Sequence, residues 1–187
     1  MRDLDPAGLV NKRETSWGGG NMLLNPSFEN GMAGWTASTV SGTPSVTTSA
    51  SEVSPGLQLI CTISPSNSSA DVYQNIVFTS AQIGGIYTFT ALVKVTSGIG
   101  WVQHLIVGGG VSSYQDRWCP AYAAAGWVLI SQSFIVQSAG TVAVGISGVN
   151  VTEFSVDCCS LSPGVVGTPD NGLFASIQIG GRTLTRG

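Results

Sequence analysis

The chain has 187 residues, 43% of them hydrophobic and only 9% charged, with a formal net charge of -3. That length suits one core of ordinary size, and the high apolar share with low charge excludes intrinsic disorder. A pI near 4.8 also denies it the basic footprint that nucleic acid requires. Average globular chains carry about 25% charged residues, so here Ser, Thr, Asn, Gln and Gly must cover the surface. Surface helices want Glu, Lys and Arg, which are scarce, whereas 25 glycines with abundant Ser, Thr and Val suit strands and turns. The expected fold class is all-β.

Residues 1–20 read as an N-terminal arm, polar and aperiodic, ending in the flexible Trp17-Gly18-Gly19-Gly20. Its opening Met1-Arg2-Asp3-Leu4-Asp5-Pro6 has no apolar stretch of the signal-peptide kind, and no later run approaches a membrane span of about 20 residues. The expectations are therefore synthesis in a cytoplasm, no membrane partner, and reduced cysteines. Residues 21–161 form the body, with strand-like runs at Leu57–Ile63, Val72–Phe78, Ile86–Val95, Gly100–Val107, Trp127–Val136, Thr141–Val149 and Phe154–Leu161. Alternation in Tyr87–Val95 and Thr141–Ile146 describes half-buried antiparallel strands. Trp101–Val107 is apolar on both faces, which predicts a central strand or one covered by a neighbour. Cys158 and Cys159 should point to opposite faces, one into the core and one outward. Cys61 and Cys119 complete a set with no zinc-type spacing.

Beyond Leu161 the composition changes, and residues 162–187 read as a linker and C-terminal arm carrying a small strand, Leu173–Ile179. A lone apolar strand cannot bury itself, so it should fold back or add to another chain's sheet. Charge placement supports a docking role for the ends. Between residues 21 and 170 only Lys94 and Arg117 are basic, against Glu29, Glu52, Asp71, Asp116, Glu153, Asp157 and Asp170. Arg2, Lys12, Arg13, Arg182 and Arg186 all lie in the arms. Together with Trp17, Leu173, Phe174, Ile177 and Ile179, they are the candidate assembly residues.

The run Leu23-Leu24-Asn25-Pro26-Ser27-Phe28-Glu29-Asn30-Gly31, followed by Gly34-Trp35, resembles the opening of carbohydrate-binding modules of the family 4/9 type. Tyr73-Gln74-Asn75-Ile76, Gly85–Lys94, Gly126-Trp127 with Phe134, and Phe154-Ser155-Val156-Asp157 resemble later segments of those modules, in order. The likeness covers residues 21–161 and implies a two-sheet antiparallel β-sandwich, a jelly roll, with extended arms. It further implies a structural calcium near Glu29 and Asp157, although the second Asp of the closing motif is Cys158 here. For sugar stacking it implies Trp101, Tyr114, Trp118 and Tyr122, with Trp35 and Trp127 as scaffold.

No catalytic constellation appears. His104, the one histidine, lies in an apolar strand and reads as a satisfied structural residue. Glu29, Asp116 and Glu153 lack the spacing of a glycosidase pair, and Gly108-Gly109-Gly110 precedes no helix. The chain is expected not to be an enzyme and to need no cofactor beyond that calcium. Free-standing sandwiches of this kind resemble structural proteins of tailed bacteriophages. The leading expectation is thus a non-enzymatic virion component, a capsid decoration or tail protein assembled in host cytoplasm. Its arms would dock on other virion proteins and copies of itself. The alternative is a carbohydrate-binding module recognising a cell-surface polysaccharide.

Overall fold

The structure is a computed structural model that describes residues 20–39, 43–54, 56–63, 69–113, 121–122, 126–164, 176–179 and 182–185. Its strands are β1 (Thr36–Thr39), β2 (Ser45–Ala50), β3 (Leu57–Thr62), β4 (Ser69–Phe78), β5 (Ile86–Gly108), β6 (Val111–Ser113), β7 (Ala121–Tyr122), β8 (Val128–Val136), β9 (Gly140–Pro163), β10 (Ser176–Ile179) and β11 (Arg182–Thr185). Two of them, β5 and β9, have 23 and 24 residues. Each supplies a strand to both layers of the sandwich.

The first layer runs β1, β4, the first half of β9, the second half of β5, then β7. The second runs β2, β3, the second half of β9, the first half of β5, β8, then β6. All pairings are antiparallel, so the all-β jelly-roll expectation holds. The register of β5 on β9 breaks repeatedly between Val95 and Trp101, and there both strands turn from one layer to the other. Glycine is needed at this corner. A Cβ at Gly100 would stand 1.7 Å from the Val149 carbonyl oxygen, and Gly98 has φ +115.

Alternation along each strand fills the space between layers. Ala70, Val72, Ile76 and Phe78 of β4, with Val142, Val144 and Ile146 of β9, face Phe89, Ile130, Phe134 and Phe154 of the second layer. Phe78 touches across the gap, its ring centroid 4.9 Å from Tyr87 and 6.0 Å from Phe134, edge-on in both cases. The opening motif is built into this body. Its chain pairs with the end of β9 through Met22 N–H to the Leu161 oxygen (2.8 Å) and Cys159 N–H to the Pro26 oxygen (3.0 Å). Buried Gln74 clamps it from β4, accepting from Leu24 N–H at 3.0 Å and donating to the Leu24 carbonyl. Asn25, at φ 46, accepts from Asn30 N–H and donates to the Gly31 oxygen, while the Trp35 indole donates to the Asn25 oxygen at 2.9 Å. The motif is thus a folded plug, with Phe28 wholly buried against Trp35.

Three expectations need correction. Gly100–Val107 and Ile86–Val95 are one strand, as are Thr141–Val149 and Phe154–Leu161, because the corner bends the chain without ending it. Neither Cys158 nor Cys159 reaches the surface. A kink at Cys158 (φ 53) breaks the alternation, and its side chain joins Leu92 and Trp127 in a second apolar cluster outside the main core. The segment at Leu173–Ile179 does not hold a lone strand. Within it β10 pairs with β11, Ile177 opposite Leu184 and Ile179 opposite Arg182. The arm residues Arg2, Lys12, Arg13, Trp17, Leu173, Phe174 and Arg186 lie outside the described residues.

Candidate functional site

The outer face of the first layer gathers polar and aromatic side chains that no single stretch of sequence contains. On β4 the positions that alternate with core residues are Asp71, Tyr73, Asn75 and Val77. On β9 they are Ala143, Gly145, Ser147 and Val149, and on β5 Trp101, Gln103, Leu105 and Val107. Register lines these up in rows. Ser38, Asp71, Ser147 and Gln103 stand side by side, flanked on one side by Thr36, Tyr73, Gly145 and Leu105. On the other side lie Ser69, Val149, Trp101 and the backbone of Tyr122.

Trp101 is half-buried and its indole N–H donates to Gln103 Oε1 at 2.9 Å, which fixes the ring beside the polar row. Trp101 and Tyr73 lie diagonally across three strands, roughly 16 Å apart by ordinary strand spacing and rise. Between them the floor is small. Gly145 carries no side chain, and Ser147 is only 7% exposed. A Cβ at Gly145 would stand 2.1 Å from the Val72 carbonyl oxygen and 2.8 Å from Tyr73 Cβ, so the close approach of β4 requires glycine. Flat apolar rings flanking a hydrogen-bonding floor suit a ligand with two apolar faces and a polar rim, which is the make-up of a pyranose chain.

Of the sugar-stacking candidates read from sequence, Trp101 sits on this face and Tyr122 pairs with it in backbone register. Tyr114 and Trp118 lie outside the described residues. Tyr73 and Asp71 are the residues that sequence reasoning passed over. Their signal was present as the polar half of β4, whose other half builds the core. Trp35 is core, whereas Trp127 covers the second layer from outside and donates its indole N–H to Glu52 at 3.1 Å. Glu52 also meets Lys94 at 2.7 Å, and that contact, then the indole, holds its carboxyl below the ordinary value.

Glu29 and Asp157 border one turn. The Glu29 carboxylate packs on Gly56, and Asp157 takes the hydroxyls of Ser51 and Ser54 on Oδ2 and the Cys158 N–H on Oδ1. Calcium takes about 6–8 oxygen ligands, most of them carboxylate or carbonyl. The described residues bring no group of three or more His, Cys, Asp or Glu together, and the Asp157 oxygens are already committed to hydroxyl and amide hydrogens. The side chains present do not by themselves complete a cation site. Asp157 instead pins the turn, its carboxyl pushed up by burial against the lowering pull of those donors.

His104 is half-buried, its ring edge-on to Phe89, and it is not fully satisfied. Its Nε2 has no hydrogen-bond partner among the described residues.

No protein-family model matches the chain, and no curated protein matches it. Solved structures do. A domain titled the enzymatically active domain of bacteriophage CBA120 tailspike protein 4 superposes at TM-score 0.58 and 13% identity, over 76% of this chain but only 21% of that one. A module titled TmCBM61 in complex with β-1,4-galactotriose gives 0.51 and 16%, covering 77% of this chain and 99% of that one. The xylan-binding domain CBM22-1 of Paenibacillus barcinonensis Xyn10C gives 0.53 and 15%, covering 79% and 97%. This chain has the jelly-roll fold of carbohydrate-binding modules, a fold also present in a bacteriophage tailspike.

Proposed function

We propose that this chain is a non-catalytic carbohydrate-binding module whose sugar site is the outer face of its first layer. The observation that carries this reading is the row Asp71, Ser147, Gln103 lying between Tyr73 and Trp101. Each ring offers a stacking face, and the row offers acceptors and donors for ring hydroxyls. Modules that match this chain over nearly their whole length are titled as a complex with β-1,4-galactotriose and as a xylan-binding domain, which supports the same reading. The test is migration of the purified protein through native gels containing xylan, β-1,4-galactan or hydroxyethylcellulose. At least one should retard it. Trp101→Ala should weaken that retardation by the equivalent of about 1–3 kcal/mol, the range for aromatic stacking on a flat ring, without lowering Tm by more than a few degrees. Retardation equal to that of wild type would remove Trp101 from the site.

The tailspike match favours a second reading, in which the module is part of a bacteriophage particle and serves attachment to a host polysaccharide. Sedimentation of the lysate in which the protein is naturally produced would test it. Co-migration with particles of megadalton size supports that placement, and migration as a free small species overturns it.

A further inference from the structure

Asp71 stands at the centre of the proposed site and is half-buried, yet no cation and no hydrogen-bond donor among the described residues meets its carboxylate. It is also the one formally charged residue on the described strands of the first layer. Lys94, the basic side chain of the described body, is on the second layer and already bonded to Glu52. The ion pair of the described residues is Lys94 with Glu52, so the Asp71 carboxylate is left to pair with a ligand. Its register neighbours, Ser38 and Ser147, are small and place no bulky side chain directly beside it.

On the reading that this face binds sugar, we infer that Asp71 selects glycans bearing a free amino group. An ammonium seated over Asp71 forms a charge-assisted hydrogen bond, stronger than the one a hydroxyl donates. A uronate or sulfate in the same place is repelled by the carboxylate and finds no described basic residue on this layer to offset it. The order of preference is therefore amino sugar, neutral sugar, acidic sugar.

Three β-1,4-linked hexasaccharides that differ only at carbon 2 isolate the effect: cellohexaose with a hydroxyl, chitohexaose with an acetamide, and the glucosamine hexamer with an amine. Calorimetric titration at about pH 6, where amines of this kind are protonated, should show the glucosamine hexamer binding about tenfold tighter than cellohexaose. Asp71→Asn should bring the two level, and Asp71→Ser serves if the amide variant fails to fold. Glu153→Gln, which changes net charge equally from the corner between layers, should keep the preference. Equal affinity of the two hexamers in wild type, or a preference that survives loss of Asp71, overturns the inference. So does failure of all three hexamers while xylan or galactan gels still retard the protein, and in that case the sugar-binding reading stands. Absence of retardation in every gel, with no hexamer bound, overturns both.

Discussion

Among the described residues, His104 carries a clear pH dependence. Burial holds its pKa down to about 4, against a hydrogen bond to the Ile130 backbone that raises it, while the unfolded chain titrates near 6.5. Between those values the unfolded state binds more protons, so stability falls as pH drops through the window and is intact above it. At the low end the loss is about 3 kcal/mol. Urea midpoints should therefore fall between pH 7 and pH 4 more steeply in wild type than in His104→Phe, and parallel profiles would remove His104 as the cause. Asp157 has the opposite sign. Its raised carboxyl binds protons more tightly in the folded state, so its contribution is greatest below the ordinary carboxylate value and declines as pH rises. Asp157→Asn removes the buried charge but keeps one acceptor oxygen, so if it serves Ser51 and Ser54 its NH2 opposes the Cys158 N–H, and stability at pH 7 should fall by about 1–3 kcal/mol. Calcium should not raise Tm in either protein. A calcium-dependent rise in wild type that disappears in Asp157→Asn would establish a cation site at Glu29 and Asp157 instead.

At the scale of strands, the close approach of β4 and β9 under the site makes Gly145 a sensitive position. Gly145→Ala forces a methyl against the Val72 carbonyl and should cost about 1–3 kcal/mol, read as a lower urea midpoint, and weaken polysaccharide retardation by displacing Tyr73. Wild-type values for both would show that the strands part without strain. The central strands are legible in the sequence because β4, β5, β8 and β9 are rich in β-branched and apolar residues, although Tyr87–Val93, which alternates in sequence as a half-buried strand would, is buried on both faces. The edge strands β1 and β2 are not, since Thr36-Ala37-Ser38-Thr39 and Ser45–Ala50 lack a continuous apolar face and add little to the core besides Ala37 and Val46. The unity of β5 is hidden for another reason. Gly98-Ile99-Gly100 has turn composition, and only the neighbouring strand shows that the glycines admit Val149 and Val151 rather than a reversal. The site shares this limit. Trp101 is conspicuous in sequence, but Asp71 and Tyr73 acquire meaning from register with β9 and β5, which no local pattern encodes.

For the whole molecule, the body bounded by Met22 and Gly164 closes on itself through the plug, and the β10–β11 hairpin follows in sequence. Removal of residues 173–187 should leave the Tm of the body unchanged; a drop of several degrees would mean that the body depends on them. If the particle reading is right, the same truncation should abolish co-sedimentation. The two long strands have a kinetic consequence. Because β5 and β9 run through both layers, neither layer possesses a complete set of strands without the other, and separate partly folded halves have nothing to stabilise them. The pairing joins residues such as Leu92 and Asp157, far apart in sequence, so its closure is slow and comes as a single cooperative event. Amide hydrogens along β5 and β9 should then be the last to exchange with solvent, at rates common to both layers.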